Sequence, residues 1–497
     1  MIFKEIKNTA KITNRVIAGF CVLFLALALL VPQFFRENLE TLTGLLLQNF
    51  GYFYLILGLF CTLSLLFLAF SNLGKIKLGD EDPEFSWYSW IAMLYSTGMG
   101  AGLLLRAVQE PVFYYQNPPR ASPLSASEFA LEYTFFHWGL TPWAFYGLFG
   151  LIMAFVIYVK KERLMSSSLL SKPNQASVLG VSMNVLTIIC TLLGVVAALG
   201  LGGKQLLEAL AALIDMNFHP NLAIVVILVV CLIASMSALL GLKNGIRNLS
   251  NFNIGTAILM LLIVSYFGFQ SSITISLLPI VKTYLIEFIP MSLNLGRFSV
   301  SSDFLKDWTY FYWAFWLAWA PFTGVFIARI SKGRTIRQFI LAVLIIPAFG
   351  TFIWFSIFGN NAFHLLENGL VAENAFESIY VGIFNFLAQY PYANFTQVIT
   401  MILVFTFLIT SVDSAIFVLG MFSDNGKLQP KKKLRWIWGA LISLFTIAVI
   451  LIGQDSLLQS VSQLLILFAF PFSLMFLVMI FYFLRLLFLQ NSKNEPN

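Results

Sequence analysis

Residues 96–111 read S-T-G-M-G-A-G-L-L-L-R-A-V-Q-E-P, at a place where an apolar segment should be crossing a membrane. Gly98, Gly100 and Gly102 occupy alternate positions in it. Each costs roughly 1 kcal/mol against alanine inside a helix, so a continuous span would be weak beside its Leu- and Ala-rich neighbours. A helix broken at the glycines is expected. At membrane depth, unwound backbone is tolerated where it lines a cavity or is enclosed by protein, and in transporters it offers bare amides and carbonyls to substrates and ions. Close packing of two helices is the other use of such a stretch, since Gly98 and Gly102 have small-xxx-small spacing. Read alone, the stretch admits both.

Outward from it, composition decides the class. Apolar residues make up 59% of the 497 and charged ones 11%, against about a quarter charged in soluble domains. This describes an all-α polytopic membrane protein whose first partner is the lipid bilayer. The net charge of +7 does not imply nucleic acid, because cytoplasmic loops of membrane proteins collect Lys and Arg. Cys21, Cys61, Cys190 and Cys231 lie inside apolar runs with no CxxC and read as small buried hydrophobes. The first apolar run follows Lys4, Lys7, Lys11 and Arg15 but is long and lacks a small-residue cleavage site, so it reads as an uncleaved helix.

Stretches able to cross about 30 Å of hydrocarbon at about 1.5 Å per residue number twelve, near 14–35, 48–71, 87–109, 126–158, 182–213, 220–241, 248–270, 308–330, 335–359, 391–422, 433–453 and 460–489. Of the 30 Lys and Arg, only Arg36, Arg120, Lys282, Arg297 and Lys306 fall in loops opposite the termini. The cations on the other side include Lys160, Lys161 and Arg163, and then Arg329, Lys332, Arg334 and Arg337. Both termini are therefore expected in the cytoplasm, in a multi-pass protein of the plasma (inner) membrane. The chain divides into two N-terminal helices (1–82), a group of five (83–272), an outer interfacial helix and loop (273–307), a second group of five (308–489) and a short cytoplasmic tail (490–497). Ser276, Thr283 and Glu287, seven and four apart, suit a helix lying along the outer interface. Residues 360–390 read as an outer loop with short helical pieces.

Arg106 and Lys204 lie within predicted spans, each with a glutamate four residues on, Glu110 and Glu208. Local neutralisation or snorkelling would account for both. Arg106 also follows the glycine break directly and could face the same cavity.

Two aromatic clusters stand out. Residues 133–146 read Y-T-F-F-H-W-G-L-T-P-W-A-F-Y, and 308–321 read W-T-Y-F-Y-W-A-F-W-L-A-W-A-P. Tryptophan ordinarily gathers at membrane interfaces. Here Trp138, Trp143 and Tyr146 fall within about two turns, which a bend at Pro142 would tighten, and Trp316 and Trp319 share a face with Trp313 a turn before. Ring faces turned into a dry pocket attract a cation of diffuse charge, at about 0.5–2 kcal/mol per ring. Farther on, F-L-I-T-S-V-D-S at 407–414 puts hydroxyls and a carboxylate inside an apolar span. Thr410 and Ser411 could bond back to the preceding turn or, with carbonyls from the broken helix, ligate a hard monovalent cation.

In order and separation, G-M-G-A-G with Glu110-Pro111, F-F-H-W-G-L-T-P-W-A-F-Y, G-I-R-N-L-S-N-F-N, W-A-P-F-T-G-V-F-I-A-R-I-S-K-G-R-T-I-R and T-S-V-D-S resemble the betaine/choline/carnitine transporters from about residue 83 to 423. The resemblance implies a LeuT-like core of two inverted five-helix repeats, helices three to seven and eight to twelve, behind two extra helices, commonly as a homotrimer. It assigns Trp138, Trp143, Tyr146 and Trp316 to a cage around a trimethylammonium head and Trp319 to the cytoplasmic exit path. It makes Gly98, Met99, Gly100 and Gly102 the unwound hinge beside the substrate. One sodium site would be formed by the Ser96, Met99 and Phe407 carbonyls and the Thr410 and Ser411 hydroxyls. The substrates implied are zwitterionic or quaternary-ammonium osmolytes such as glycine betaine, choline, carnitine or a sulfonium analogue.

The chain also departs from that pattern. Arg106 stands where an aromatic residue is usual, and Phe315-Trp316 where two tryptophans often are. Ala197 and Ala198 replace common hydroxyl residues, which argues against a second sodium site. Gly102 stands where choline-preferring relatives often carry aspartate, so a zwitterion is favoured, with Arg106 suited to its carboxylate or sulfonate.

The expected function is import of such an osmolyte by alternating access, not an enzymatic reaction, with sodium as the expected coupling ion and no cofactor. Proton coupling and substrate–product exchange are the alternatives within the family. His137, His219 and His364 stand far apart, with no H-E-x-x-H or G-x-S-x-G motif, and no repeated pore loop suggests a channel. The short tail after Leu489 predicts little tail-mediated osmotic activation.

Overall fold

Apolar runs of this length fold as helices because in hydrocarbon each backbone amide must find its partner within its own segment or in a closed barrel. The computed structural model describes residues 2–98, 100–214, 216, 218–219, 222–241, 245–270, 277–453 and 457–494. The first half holds α1 (Ile2–Leu30), α2 (Pro32–Phe70), α3 (Trp87–Gly98), α4 (Gly102–Arg106), α5 (Gln109–Gln116), α6 (Ala126–Trp138), α7 (Leu140–Ala154), α8 (Val178–Ile214), α9 (Leu222–Leu240) and α10 (Arg247–Gln270). After α11 (Leu277–Ser292) come α12 (Ser302–Phe304), α13 (Phe311–Ile330), α14 (Ile336–Ile340), α15 (Ile346–Glu367), α16 (Gly382–Leu387), α17 (Ala393–Ser423), α18 (Lys432–Gly453) and α19 (Leu457–Asn494).

Among the described residues 11 helices are long and apolar enough to cross a membrane, or 12 when the bent pair Trp87–Gly98 and Gly102–Gln116 counts as one span. The chain is thus an all-α polytopic membrane protein. Some boundaries differ from expectation. The polar stretch around Arg36 and Glu40 is not a loop: α2 begins at Pro32, one residue after α1, because proline at a helix start has its φ already set and no N–H to lose. The span expected to end near residue 359 continues to Glu367. The helix expected at the outer interface is α11, and Ser276 lies outside the described residues.

The helices sort by burial. The whole apolar window of the α6–α7 span is buried, whereas 28% of the windows of α1 and α10 is, leaving Val22, Leu23, Leu262 and Tyr266 for lipid. At the centre α13 packs along α7, and α8 and α19 flank it, while α17 packs against α8, α9 and α10. α7 and α13 touch backbone to backbone: a β-carbon on Gly324 would lie 2.8 Å from the Gly150 nitrogen.

At one end the chain before α3 is clasped to the turn after α13. Leu78 N donates to Arg334 O (2.8 Å), Gly333 N to Leu78 O (2.8 Å) and Ile336 N to Ile76 O (2.9 Å). The Arg334 guanidinium lies 4.6 and 4.5 Å from the rings of Trp87 and Trp90 and donates to Phe85 O at 2.7 Å. Trp90 Nε1 donates to Ser331 Oγ (3.0 Å), and ion pairs join Arg329 to Glu84 (3.1 Å) and Lys332 to Glu81. The R-I-S-K-G-R-T stretch thus has a local physical role.

Candidate functional site

The glycine stretch is where the third span breaks. α3 stops at Gly98, Gly100 has φ +49°, α4 begins at Gly102, and the span bends by 64° between Trp87–Gly98 and Gly102–Gln116. Each described glycine lies against a side chain of the enclosing helices. A β-carbon on Gly98 would come within 2.7 Å of the Trp143 ring, one on Gly100 within 2.9 Å of Ser411 Oγ, and one on Gly102 within 3.5 Å of the Trp138 ring. Broken helix and close packing, alternatives in the sequence, therefore coexist. Met99 lies outside the described residues.

Beside the break is a partly open cavity of about 540 Å³, open solvent included, walled by residues that include Gly102, Arg106, Trp138, Tyr312, Phe315, Trp316 and Trp319. α6 supplies Trp138. α13 supplies the other aromatics, because residues three and four apart share one helix face. Ring centroids lie 5.0 Å apart for Trp138 and Trp316, 5.7 Å for Trp138 and Tyr312, 5.7 Å for Tyr312 and Trp316, and 5.5 Å for Phe315 and Trp319. Three indole N–H groups are tied behind the wall: Trp138 to Glu110 Oε2 (2.9 Å), Trp316 to His137 O (3.0 Å) and Trp319 to Gly194 O (2.9 Å). What the wall offers is ring surface.

Trp143 and Tyr146 are not on that wall. Trp143 stacks on Tyr95 (5.7 Å, 28°), and Tyr146 turns its ring edge-on to Trp316 (6.3 Å, 86°). Their buried Nε1 and hydroxyl have no hydrogen-bond partner among the described residues. The chain between Trp138 and Trp143 turns at Gly139 (φ −93°, ψ −122°), which separates α6 from α7, rather than at Pro142.

Arg106 is on the wall but not paired with Glu110. Its Nη1 donates to Gln109 Oε1 at 2.5 Å and its guanidinium lies 5.3 Å from the Trp308 ring. The expected i,i+4 contact fails because the helix is interrupted again between Arg106 and Gln109. Lys204 does meet Glu208, at 3.7 Å, and lies 4.7 Å from the Tyr380 ring.

On the other side of the break, oxygens converge. Ser96 Oγ and Thr410 Oγ1 are 3.3 Å apart, and Thr410 Oγ1 donates to Phe407 O at 2.9 Å. Asn253 Nδ2 donates to both hydroxyls, each at 3.2 Å. Ser411 Oγ and Asn253 Oδ1 are buried without partners among the described residues. Hydroxyl, carbonyl and amide oxygens are the donors a hard cation takes. Thr410 thus does bond back to its own helix, and does so beside atoms that could ligate.

Asn253 and Tyr312 are not among the expected site residues, and Phe315 stands out in the sequence only as a departure from a tryptophan pair. Tyr312 is four residues before Trp316 and so on its face, a spacing legible in advance. Asn253 is a polar residue within a span, inside the G-I-R-N-L-S-N-F-N motif, and its partners come from helices far away in sequence.

Comparison with known proteins places this site in context. A family model described as betaine/carnitine/choline family transporter matches residues 14–491. The chain is 36% identical over 460 residues to a glycine betaine transporter of Bacillus subtilis, covering 90% of this chain and 89% of that one. It is 33% identical over 508 residues to an ectoine/hydroxyectoine transporter of Virgibacillus pantothenticus, covering 99% of each. To the high-affinity choline transport protein of Escherichia coli it is 34% identical over 468 residues, covering 92% of this chain and 69% of the other. The chain belongs to the betaine/carnitine/choline family of transporters.

Proposed function

We propose that the protein imports a zwitterionic osmolyte with a quaternary-ammonium or sulfonium head, such as glycine betaine, across the plasma membrane by alternating access coupled to sodium. The observation that carries this is the cavity wall, in which Trp138, Tyr312, Trp316 and Trp319 present ring surface with no carboxylate among the described lining residues, while Arg106 supplies one cation. Ring faces suit a head whose charge cannot be met by hydrogen bonds, and a guanidinium suits a carboxylate or sulfonate. Relatives named for glycine betaine, ectoine and choline support the same class of small solute. Arg106 favours the zwitterion over choline.

In this reading Trp143 and Tyr146, whose polar atoms lack partners, join Trp138 and Trp316 around the head in another state of the cycle, and Trp319 lines the way to the cytoplasm. Gly98, Met99, Gly100 and Gly102 form the hinge. Sodium is held by Ser96, Met99, Phe407, Thr410 and Ser411, with Asn253 turning its amide to offer Oδ1. The two groups of five helices act as LeuT-like inverted repeats, within a homotrimer whose termini are cytoplasmic. One experiment tests the core of it: uptake of labelled glycine betaine by proteoliposomes, competed with choline, carnitine and dimethylsulfoniopropionate, with and without sodium. Saturable, sodium-dependent uptake competed best by the carboxylate-bearing compounds is expected. Uptake that ignores all of them would overturn the proposal.

A further inference from the structure

Glu110 lies in the first turn of α5 and is fully buried. Its Oε2 accepts from Trp138 Nε1 (2.9 Å) and from the Tyr312 hydroxyl. Oε1 has no hydrogen-bond partner among the described residues, and His137 Nδ1 is 3.7 Å from it. His137 is itself held by Tyr114 at 2.8 Å and Thr309 at 3.1 Å, and its ring stacks on that of Tyr312 (5.0 Å, 22°). No Lys or Arg among the described residues comes within the 4.0 Å of an ion pair with Glu110; Arg106 turns to Gln109 and Trp308 instead.

A buried carboxylate without a cationic partner is costly, and here its two donors are both cavity-wall residues while Glu110 itself is not on the wall. It stands behind the rings. An indole N–H or phenol O–H donating to an anion leaves more electron density in its ring, and the anion's field reaches through a medium of low dielectric. Both effects draw a cation to the exposed ring faces. Neither favours an uncharged group of the same shape.

We propose that Glu110 sets the cavity's preference for a charged onium head over a neutral one, acting through the rings of Trp138 and Tyr312 without touching the substrate. It is a positioning and specificity residue, and its role rests on the reading of the cavity as the onium site. Glu110→Gln tests it, because the amide oxygen still accepts hydrogen bonds while the charge is gone. The two probes are trimethylglycine and 3,3-dimethylbutanoate, in which carbon replaces nitrogen so that shape and carboxylate are kept and the positive charge is lost. Their affinities for the full chain, reconstituted in lipid, are read by quenching of tryptophan fluorescence. Wild type should favour trimethylglycine, and the ratio of affinities should fall about tenfold in Glu110→Gln, chiefly by weaker trimethylglycine binding. Tyr312→Phe keeps the ring and cuts one of the two links, and should lower the ratio by about threefold. The second variant decides the matter should the first not fold. A ratio unchanged in the folded variants overturns the role of Glu110 alone. Wild-type protein that binds neither probe, or both equally, overturns the onium reading and this inference with it.

Discussion

Gly98 lies directly under the indole of Trp143, so close that a β-carbon there would stand 2.7 Å from two atoms of the ring. The end of α3 therefore has its height fixed by a tryptophan that stacks on Tyr95 and meets Tyr146 edge-on (5.6 Å, 86°). Overpacking of this kind costs about 1–3 kcal/mol and shifts backbone or ring. Gly98→Ala should reduce uptake by about tenfold or more while the protein still inserts. Gly19→Ala, where nothing lies within 4 Å, should leave uptake unchanged. Transport by Gly98→Ala equal to that of Gly19→Ala would show that the contact does not constrain the hinge.

The architecture was legible because lipid leaves few options: long apolar runs become helices, and a run with three glycines becomes a broken one. What the sequence hid was the interruption between Arg106 and Gln109, which has no glycine or proline at Ala107 or Val108 to announce it. That interruption is why Arg106 leaves Glu110 and why Glu110 reaches Trp138 and Tyr312. Spacing along one helix foretold that Trp316 and Trp319 would share a face. It could not foretell that Asn253 of α10 meets Ser96 of α3 and Thr410 of α17, since that contact depends on how three helices pack.

Those three residues frame the proposed sodium site. Replacing Thr410 and Ser411 together by alanine removes both hydroxyls, and uptake in the double variant should lose its dependence on sodium. Asn253→Ala should raise the half-saturating sodium concentration several-fold, because it removes a buried amide whose Oδ1 has no hydrogen-bond partner among the described residues. Uptake that stays equally sodium-dependent in the double variant would place the ion elsewhere.

The clasp around Arg334 should matter for stability. Two ring contacts at about 0.5–2 kcal/mol each and a charged hydrogen bond of about 1.5–3 kcal/mol converge on one guanidinium. Arg334→Ala should lower the melting temperature of the purified protein by several degrees. Arg334→Lys should fall between, since an ammonium keeps the charge but cannot stack as a plane. Melting of Arg334→Ala that coincides with wild type would mean the clasp is already open in solution.

Arg106 provides the sharpest test of substrate choice. It is the cation among the described wall residues of the aromatic cavity, it is held from behind by Gln109 and Trp308, and it is not paired with the carboxylate of Glu110. A substrate carboxylate would displace or share the Gln109 contact and gain a charge-assisted bond. Choline, which ends in a hydroxyl, would gain far less. Arg106→Trp keeps the wall aromatic and removes the charge, so the affinity for glycine betaine should fall by about tenfold or more and that for choline by little. The two are compared by competition against one labelled substrate at fixed sodium. Equal losses for both would mean that the arginine contributes only bulk. An unchanged preference would mean that the anionic end of the substrate points away from it.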